Sequence, residues 1–144
     1  MFRKIIVAFN ESPESERALV SAIRLAKSLS AELQTITFLP GLPAYTAFAG
    51  VADPGISQVL EQDQLKLYER LQESARERAR SHGINLTTHL VGGDGVGAIV
   101  DFLRTQRADL LVLGLHPHDL HISRLWSTVF ELAQDAPCSV LGVH

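Results

Sequence analysis

Runs of apolar residues alternate with amphipathic stretches along most of the chain. The first run, Lys4 to Phe9, is apolar from its second residue on, which is typical of a strand buried on both faces of a parallel sheet. Apolar residues then recur at spacings of three and four as far as about Ser28, which predicts an amphipathic helix. A second strand is predicted from Glu32 to Phe38. The chain therefore opens with a strand–helix–strand unit.

The boundaries of the helices are marked by residues with known end preferences. Ser12 is a favourable N-cap for the first helix, and Pro13 suits the first helical position because its missing N–H needs no partner there. A long amphipathic helix is predicted from about Ser57 to Ser81, with Gly83 as its C-terminal stop.

The second half of the chain continues the alternation. The pattern predicts a third strand from Leu86 to Val91 and a short helix in the stretch bearing Ile99 to Leu103. It then predicts a fourth strand from Asp109 to Gly114, a last helix from Leu125 to Gln134 and a final strand from Ser139 to Val143. Strands that alternate with helices throughout indicate an α/β fold, an open, mostly parallel, doubly wound sheet. No composition break or repeat divides the chain, so residues 1–144 are predicted to form one domain.

Residues 40–55 do not follow this alternation. Prolines and glycines are interleaved there with large apolar side chains. A mobile linker would not carry so many apolar groups, so we expect a loop packed over the domain or over a partner. Tyr45, Phe48 and Val51 are predicted to be mostly buried.

Composition and charge argue against two classes of partner, nucleic acids and membranes. The 144 residues carry a formal net charge of −3, which gives no global attraction for a phosphate backbone, so no nucleic-acid role is expected. No apolar run approaches the ~20 residues that span a bilayer, so no membrane role is expected. Cys138 is the one cysteine, and a reducing, cytoplasmic location is the simpler assumption.

Open α/β sheets bind ligands at the carboxyl ends of their strands, where the strand order reverses. Three segments follow predicted strands in this way: residues 10–12, the glycine run at residues 92–97, and residues 114–128.

The same segments carry a family resemblance. Three stretches of the chain carry it: KIIVAFNESPESERALVSAIRLAKSLSAEL, RADLLVLGLH and APCSVLGVH. In this order and spacing, they resemble the opening, the fourth strand and the closing strand of the universal stress protein family. The resemblance implies a five-stranded parallel sheet in the order 3-2-1-4-5, an adenine nucleotide α-hydrolase-like, Rossmann-like fold with helices on both faces. It also implies a stress-response homodimer that pairs its fifth strands, here Ser139–Val143.

The loop after strand four departs from the family's ATP-binding pattern of Gly-x-x-Gly, nine residues, then Gly-Ser or Gly-Thr. Gly114 keeps the first glycine and Thr128 keeps the hydroxyl, but Pro117 and Ser127 replace the other two glycines. Proline cannot donate a backbone N–H to a phosphate, and serine adds atoms where the phosphates would approach. The acidic residue that usually ends strand one is Asn10 here.

The resemblance therefore implies a binding or signalling module that holds ATP or AMP weakly or not at all. The alternative is an ATP- or AMP-binding member with slow nucleotide hydrolysis; no catalytic residue is assigned. The candidate nucleotide pocket comprises Asn10, Phe38, Gly93, Gly114, His116, Pro117, Ser127 and Thr128.

Three further motifs have structural explanations that we prefer. The run Gly93-x-Gly95-x-Gly97 could hold a phosphate, but a tight turn into a helix, with Asp94 as a cap, is the better interpretation. His116, His118 and His121 match no standard metal-ligand spacing, so a polar surface loop is expected and no metal is assigned. Cys138 is expected to be a packed, unreactive thiol.

Overall fold

The computed structural model describes residues 1–39, 61–93, 95–115 and 130–144, and the backbone of residues 47–49. The helices and strands follow the order predicted from the sequence, with one additional strand. In chain order they are β1 (Lys4–Ala8), α1 (Pro13–Leu29), β2 (Glu32–Leu39), β3 (Ala47–Ala49), α2 (Gln62–Arg80), β4 (Leu86–Gly92), α3 (Val96–Gln106), β5 (Leu110–Gly114) and β6 (Ser139–Val143). Residues 130–135 are also helical.

The sheet has the order β3-β4-β2-β1-β5-β6. Its last five strands in that list run parallel to one another, which confirms the predicted five-stranded order 3-2-1-4-5. β1 lies at the centre, where Val7 stands opposite Thr35 of β2 on one side and Val112 of β5 on the other. The strand order reverses beside β1, so the carboxyl ends of β1 and β5 form the switch point of the fold.

β3 was not predicted. It pairs antiparallel with β4, with Phe48 opposite Leu90, and so adds a sixth strand at the edge of the sheet where a packed loop was expected. Three residues are too few to produce the alternating pattern from which a strand is recognised. The predicted burial of Tyr45, Phe48 and Val51 concerns side chains outside the described part of the chain.

The two faces of the sheet bury separate apolar clusters, because successive side chains of a strand point to opposite faces. Ile5 and Val7 pack on the face covered by α1 and α2. Ile6 packs on the other face with Leu103 of α3 and Leu132 of the 130–135 helix. The predicted placement of helices on both faces is thereby confirmed.

The predicted helix ends are largely those of the structure. Ser12 caps α1, accepting the N–H of Ser15 at 3.2 Å, and Pro13 is the first helical residue. Gly83 has a φ of +76°, in the left-handed region that glycine tolerates, just after α2 ends. The N-cap of α3 is Gly95, which makes no side-chain cap bond; Asp94, the predicted cap, lies outside the described residues.

Candidate functional site

A cavity of about 260 Å³ lies at the carboxyl ends of β1, β2 and β5. The end of β1 and the following turn (residues 8–12) form its floor together with Ser15 of α1. β2 and β5 line the cavity on either side of β1, through Thr37 and Phe38 of β2 and through Leu113 and Gly114 of β5. The helix α2 contributes Tyr68 and Leu71. The cavity therefore occupies the switch point of the sheet, where ligands of this fold class bind.

The turn between β1 and α1 is held in shape by Asn10, Ser12 and Ser15. The Oδ1 atom of Asn10 accepts the backbone N–H of Ser12 at 2.8 Å. The buried Ser15 hydroxyl accepts the backbone N–H of Asn10 at 3.2 Å. Its one proton faces two carbonyl oxygens, that of Asn10 at 2.7 Å and that of Ser12 at 2.9 Å. The backbone of the turn thus satisfies its polar groups locally, and the position of Asn10 at the cavity is fixed.

Thr37 ties the second strand to the same turn. Its buried hydroxyl donates to the carbonyl oxygen of Phe9 at 2.8 Å, and the N–H of Phe9 donates to the carbonyl oxygen of Ile36 at 2.9 Å. These bonds extend the β1–β2 pairing by one residue beyond Ala8. The Thr37 oxygen gives its proton to Phe9, and no described residue donates to it, so its lone pairs can accept a hydrogen bond from a ligand.

Gly114 closes the cavity on the β5 side. A Cβ atom at this position would lie 2.7 Å from the Cβ of Glu14 and would overlap the main chain of that residue. Glycine is required here because β5 passes directly against the first turn of α1.

The described lining of the cavity carries little charge. Glu11 is the one formally charged side chain among these residues, and it is an acid. Uncharged polar side chains come from five of the other lining residues, and the rest are apolar or glycine: Asn10, Ser12, Ser15, Thr37 and Tyr68 are the polar ones. This part of the cavity suits the neutral, planar and hydroxylated parts of a ligand better than its phosphates.

The structure brings together three of the eight residues predicted for the pocket. Asn10, Phe38 and Gly114 all line the cavity. Gly93, with a φ of +86° in the turn after β4, is not among the described lining residues. The other four lie outside the described part of the chain: His116, Pro117, Ser127 and Thr128.

Seven lining residues were missed by the sequence analysis. Three of them stand at the ends of predicted strands (Ala8, Phe9 and Leu113), and the other four are Ser15, Thr37, Tyr68 and Leu71. Ser15 stands three residues after the N-cap, and that spacing is the one signal that could have identified it. Thr37 appears in the sequence as an ordinary strand residue. Tyr68 and Leu71 belong to the apolar face of α2, and nothing local distinguishes a side chain that lines a cavity from one that packs in the core.

Cys138 is packed, as predicted; its reactivity stays a prediction. It packs against the cluster on the α3 face, and burial is the main cause that raises the pKa of its thiol above the ordinary value. A raised pKa favours the protonated thiol, which is the less nucleophilic form. No group of three or more His, Cys, Asp or Glu side chains within residues 1–39, 61–93, 95–115 and 130–144 is arranged to hold a metal ion.

The whole chain, residues 1–144, matches the sequence model of the universal stress protein family. This protein belongs to the universal stress protein family. None of the described helices has the length and apolar character needed to cross a membrane.

Two relatives of this universal stress protein match it over nearly its whole length. A universal stress protein of Methanocaldococcus jannaschii is 27% identical, and the match covers 99% of this chain and 82% of the relative. The universal stress protein YxiE of Bacillus subtilis is 26% identical, and the match covers all of both chains.

Solved structures of the family have the same fold. A universal stress protein crystallised in complex with cAMP superposes with a TM-score of 0.76 at 25% identity, over 99% of this chain and 97% of that one. The Archaeoglobus fulgidus universal stress protein in complex with dAMP superposes with a TM-score of 0.69 at 17% identity, over 100% of this chain and 98% of that one. At 17% identity the likeness shows the fold alone.

Proposed function

We propose that this universal stress protein is a cytoplasmic stress-response binding or signalling module that acts as a homodimer and binds an adenine nucleotide weakly. The observation that carries the nucleotide part of the proposal is the cavity at the switch point, which Asn10, Phe38 and Gly114 line together. The 25%-identical structure in complex with cAMP supports a ligand of this class.

The described lining offers partners for a base and a sugar. Phe38 and Tyr68 supply aromatic surface for a planar ring. Thr37 and Glu11 provide oxygen acceptors for amino or hydroxyl groups, and Ser12 and Asn10 provide donors. A nucleoside can therefore satisfy its polar groups here without bringing a charge into the described part of the cavity.

Weak affinity follows from the loop after β5. Pro117 cannot donate a backbone N–H to a phosphate oxygen, and a lost charge-assisted hydrogen bond costs about 1.5–3 kcal/mol. A loss near 3 kcal/mol converts a micromolar site into one of roughly 0.1–1 mM. We therefore assign ATP, AMP or a cyclic nucleotide as a weakly held ligand.

The dimer part of the proposal rests on β6. This strand pairs with β5 on one side, and within the described residues no strand pairs with its other edge. Its Leu141 side chain is 40% exposed. An apolar strand edge is open to pairing with another chain, and a second copy of β6 would cover it.

Isothermal titration with AMP, cAMP and ATP tests the nucleotide part. We expect dissociation constants of roughly 0.1–1 mM and no nucleotide retained through purification. A tightly held nucleotide that co-purifies would contradict weak binding, and no heat of binding with any of the three ligands would contradict nucleotide binding altogether.

A further inference from the structure

Gln72 of α2 is buried with a polar amide that has nothing to bond to. The residue is 1% exposed, and neither Nε2 nor Oε1 of its side chain has a hydrogen-bond partner within the part of the chain that the structure describes. Buried amides are nearly always hydrogen-bonded, and a donor and an acceptor buried without partners destabilise a fold. Leucine or methionine would fill the same place without this cost, so packing alone does not explain the glutamine.

Two neighbours of Gln72 on α2 line the cavity at the switch point. Tyr68 stands one helical turn before it, and Leu71 immediately before it. Side chains of an α-helix lean toward the N-terminus of the helix and cover the preceding turn. The side chain of Gln72 therefore leans toward Tyr68. Gln72 is absent from the described lining itself, which places its amide directly behind the wall that Tyr68 and Leu71 form.

The packing of α2 on the sheet gives the depth of Gln72. One turn after it, Nη1 of Arg76 donates to the Thr88 hydroxyl of β4 at 2.7 Å. A short turn joins the end of α2 to the start of β4, so the two elements run in opposite directions. One helical turn spans about 5.4 Å and two strand residues span about 6.6 Å, so Gln72 lies near the level of Leu90. Leu90 stands opposite Thr37 of β2, which lines the cavity.

We propose that Gln72 is a specificity-determining residue of the cavity and that its amide recognises the edge of an adenine base. This inference rests on the proposed nucleotide site. A side-chain amide carries an acceptor and a donor next to each other, and adenine carries the complementary pair, its exocyclic amine and a neighbouring ring nitrogen. The amide stands at the end of three rotatable bonds, so it can turn past Tyr68 toward a ligand. The base then supplies the two hydrogen bonds that the described part of the protein does not.

The test is the Gln72→Met variant, with Gln64→Met as its matched control. Methionine has nearly the length and flexibility of glutamine, but it has no donor and only a weak acceptor. Gln64 is exposed on the same helix and is absent from the described cavity lining, so the control makes the same exchange away from the site. Urea denaturation followed by circular dichroism checks that both variants are folded.

Adenosine and purine riboside, which lacks the exocyclic amine, are titrated into the three proteins, with binding followed by NMR. The wild type and Gln64→Met are expected to bind purine riboside about tenfold more weakly than adenosine, because the amide oxygen of Gln72 loses its donor. Gln72→Met is expected to bind adenosine about tenfold more weakly than the wild type does. It should also bind the two nucleosides with nearly equal affinity.

Three results would overturn the proposal while leaving the nucleotide site intact. The first is an adenosine affinity of Gln72→Met equal to that of the wild type, in which case a buried water is enough to satisfy the amide. The second is an equal loss for both nucleosides, which would mean that methionine only alters the packing of the cavity. The third, equal binding of the two nucleosides by the wild type, needs no variant. Absence of adenosine and AMP binding to the wild type would refute the nucleotide site itself, and this inference with it.

Discussion

Gly114 at the end of β5 lies directly against the main chain of Glu14 in the first turn of α1. A Cβ atom at position 114 would fall on the carbonyl group of Glu14 and 2.7 Å from its Cβ. The contact joins the strand to the helix at the edge of the cavity. It gives Gly114 a structural role that is independent of any ligand.

Gly114→Ala is therefore expected to destabilise the protein by about 1–3 kcal/mol, the usual cost of adding a methyl group to a packed region. The backbone of α1 or β5 must shift to admit the new atom. Urea denaturation of the variant and the wild type measures the difference.

Gly97→Ala is the matched control, because a Cβ there meets nothing within 4 Å and Gly97 lies inside α3. Gly97 is the second residue of α3, so alanine is expected to stabilise by at most about 0.5–1 kcal/mol, the value for a glycine in the middle of a helix. Equal effects of the two substitutions would show that the contact with Glu14 is not tight.

Gly114 also shows which part of a residue's role could be predicted from the sequence. The family pattern identified Gly114 as a possible phosphate-binding glycine, but the contact with Glu14 depends on how closely α1 approaches β5, which no local pattern contains. Asn10 is similar: its position after β1 was evident, whereas the occupation of its Oδ1 by Ser12 became visible only in the folded turn.

More of the fold than of the site could be predicted from the sequence. Five of the six described strands were predicted, most clearly those that are runs of buried apolar residues such as Ile5 to Val7 and Leu110 to Val112. These positions are dictated by burial on both faces of a parallel sheet. β3 was missed because it is short and lies at the edge, and Tyr68 because its contact with the cavity depends on the docking of α2 on the sheet.

The stability of the protein is expected to fall on mild acidification because of His89. This histidine is buried in β4, and its Nε2 atom lies 3.0 Å from Oε1 of Gln34. Burial is the main cause that lowers the pKa of His89 below its ordinary value of 6.5, and the Lys4 charge lowers it further while Glu32 opposes the shift.

The direction of the pH dependence of stability follows from the lowered pKa of His89. Below about pH 6.5 the unfolded chain binds a proton at this histidine that the folded chain resists, so the free energy of unfolding decreases as the pH falls from 6.5. Urea denaturation across this range should give a shallower pH dependence for His89→Gln than for the wild type. Equal slopes in the two proteins would contradict the prediction.

Val140→Pro should shift the proposed dimer toward monomer. The N–H of Ser139 donates to the Asp109 carbonyl at 3.2 Å, and the carbonyl of Val143 accepts the N–H of Leu115 at 2.7 Å. Since backbone groups of successive strand residues point to alternate sides, the N–H of Val140 points away from β5. Proline at this position removes a donor from the free edge while the β5–β6 pairing keeps its own.

Light scattering at micromolar concentration measures the effect. Val140→Thr, which keeps the N–H and nearly the same shape, should remain dimeric like the wild type. A monomeric wild type, or a proline variant that stays dimeric, would show that the chains do not associate through this edge.

Restoring the two lost glycines should strengthen ATP binding. Pro117 and Ser127 lie outside the described residues, so this prediction rests on the sequence pattern alone. Glycine at position 117 restores a backbone donor, and glycine at position 127 removes a side chain from the expected path of the phosphates. Regaining a charge-assisted hydrogen bond of about 1.5–3 kcal/mol corresponds to a gain of one to two orders of magnitude in affinity.

Isothermal titration of ATP and adenosine into the wild type and Pro117→Gly/Ser127→Gly shows whether the gain in affinity comes from contacts with the phosphates. The gain should appear for ATP and be absent for adenosine, which has no phosphate to contact the restored loop. An equal gain for both ligands would mean that the substitutions reshape the whole cavity. Tight ATP binding by the wild type, or no gain in the double variant, would show that this loop does not limit the affinity of the site.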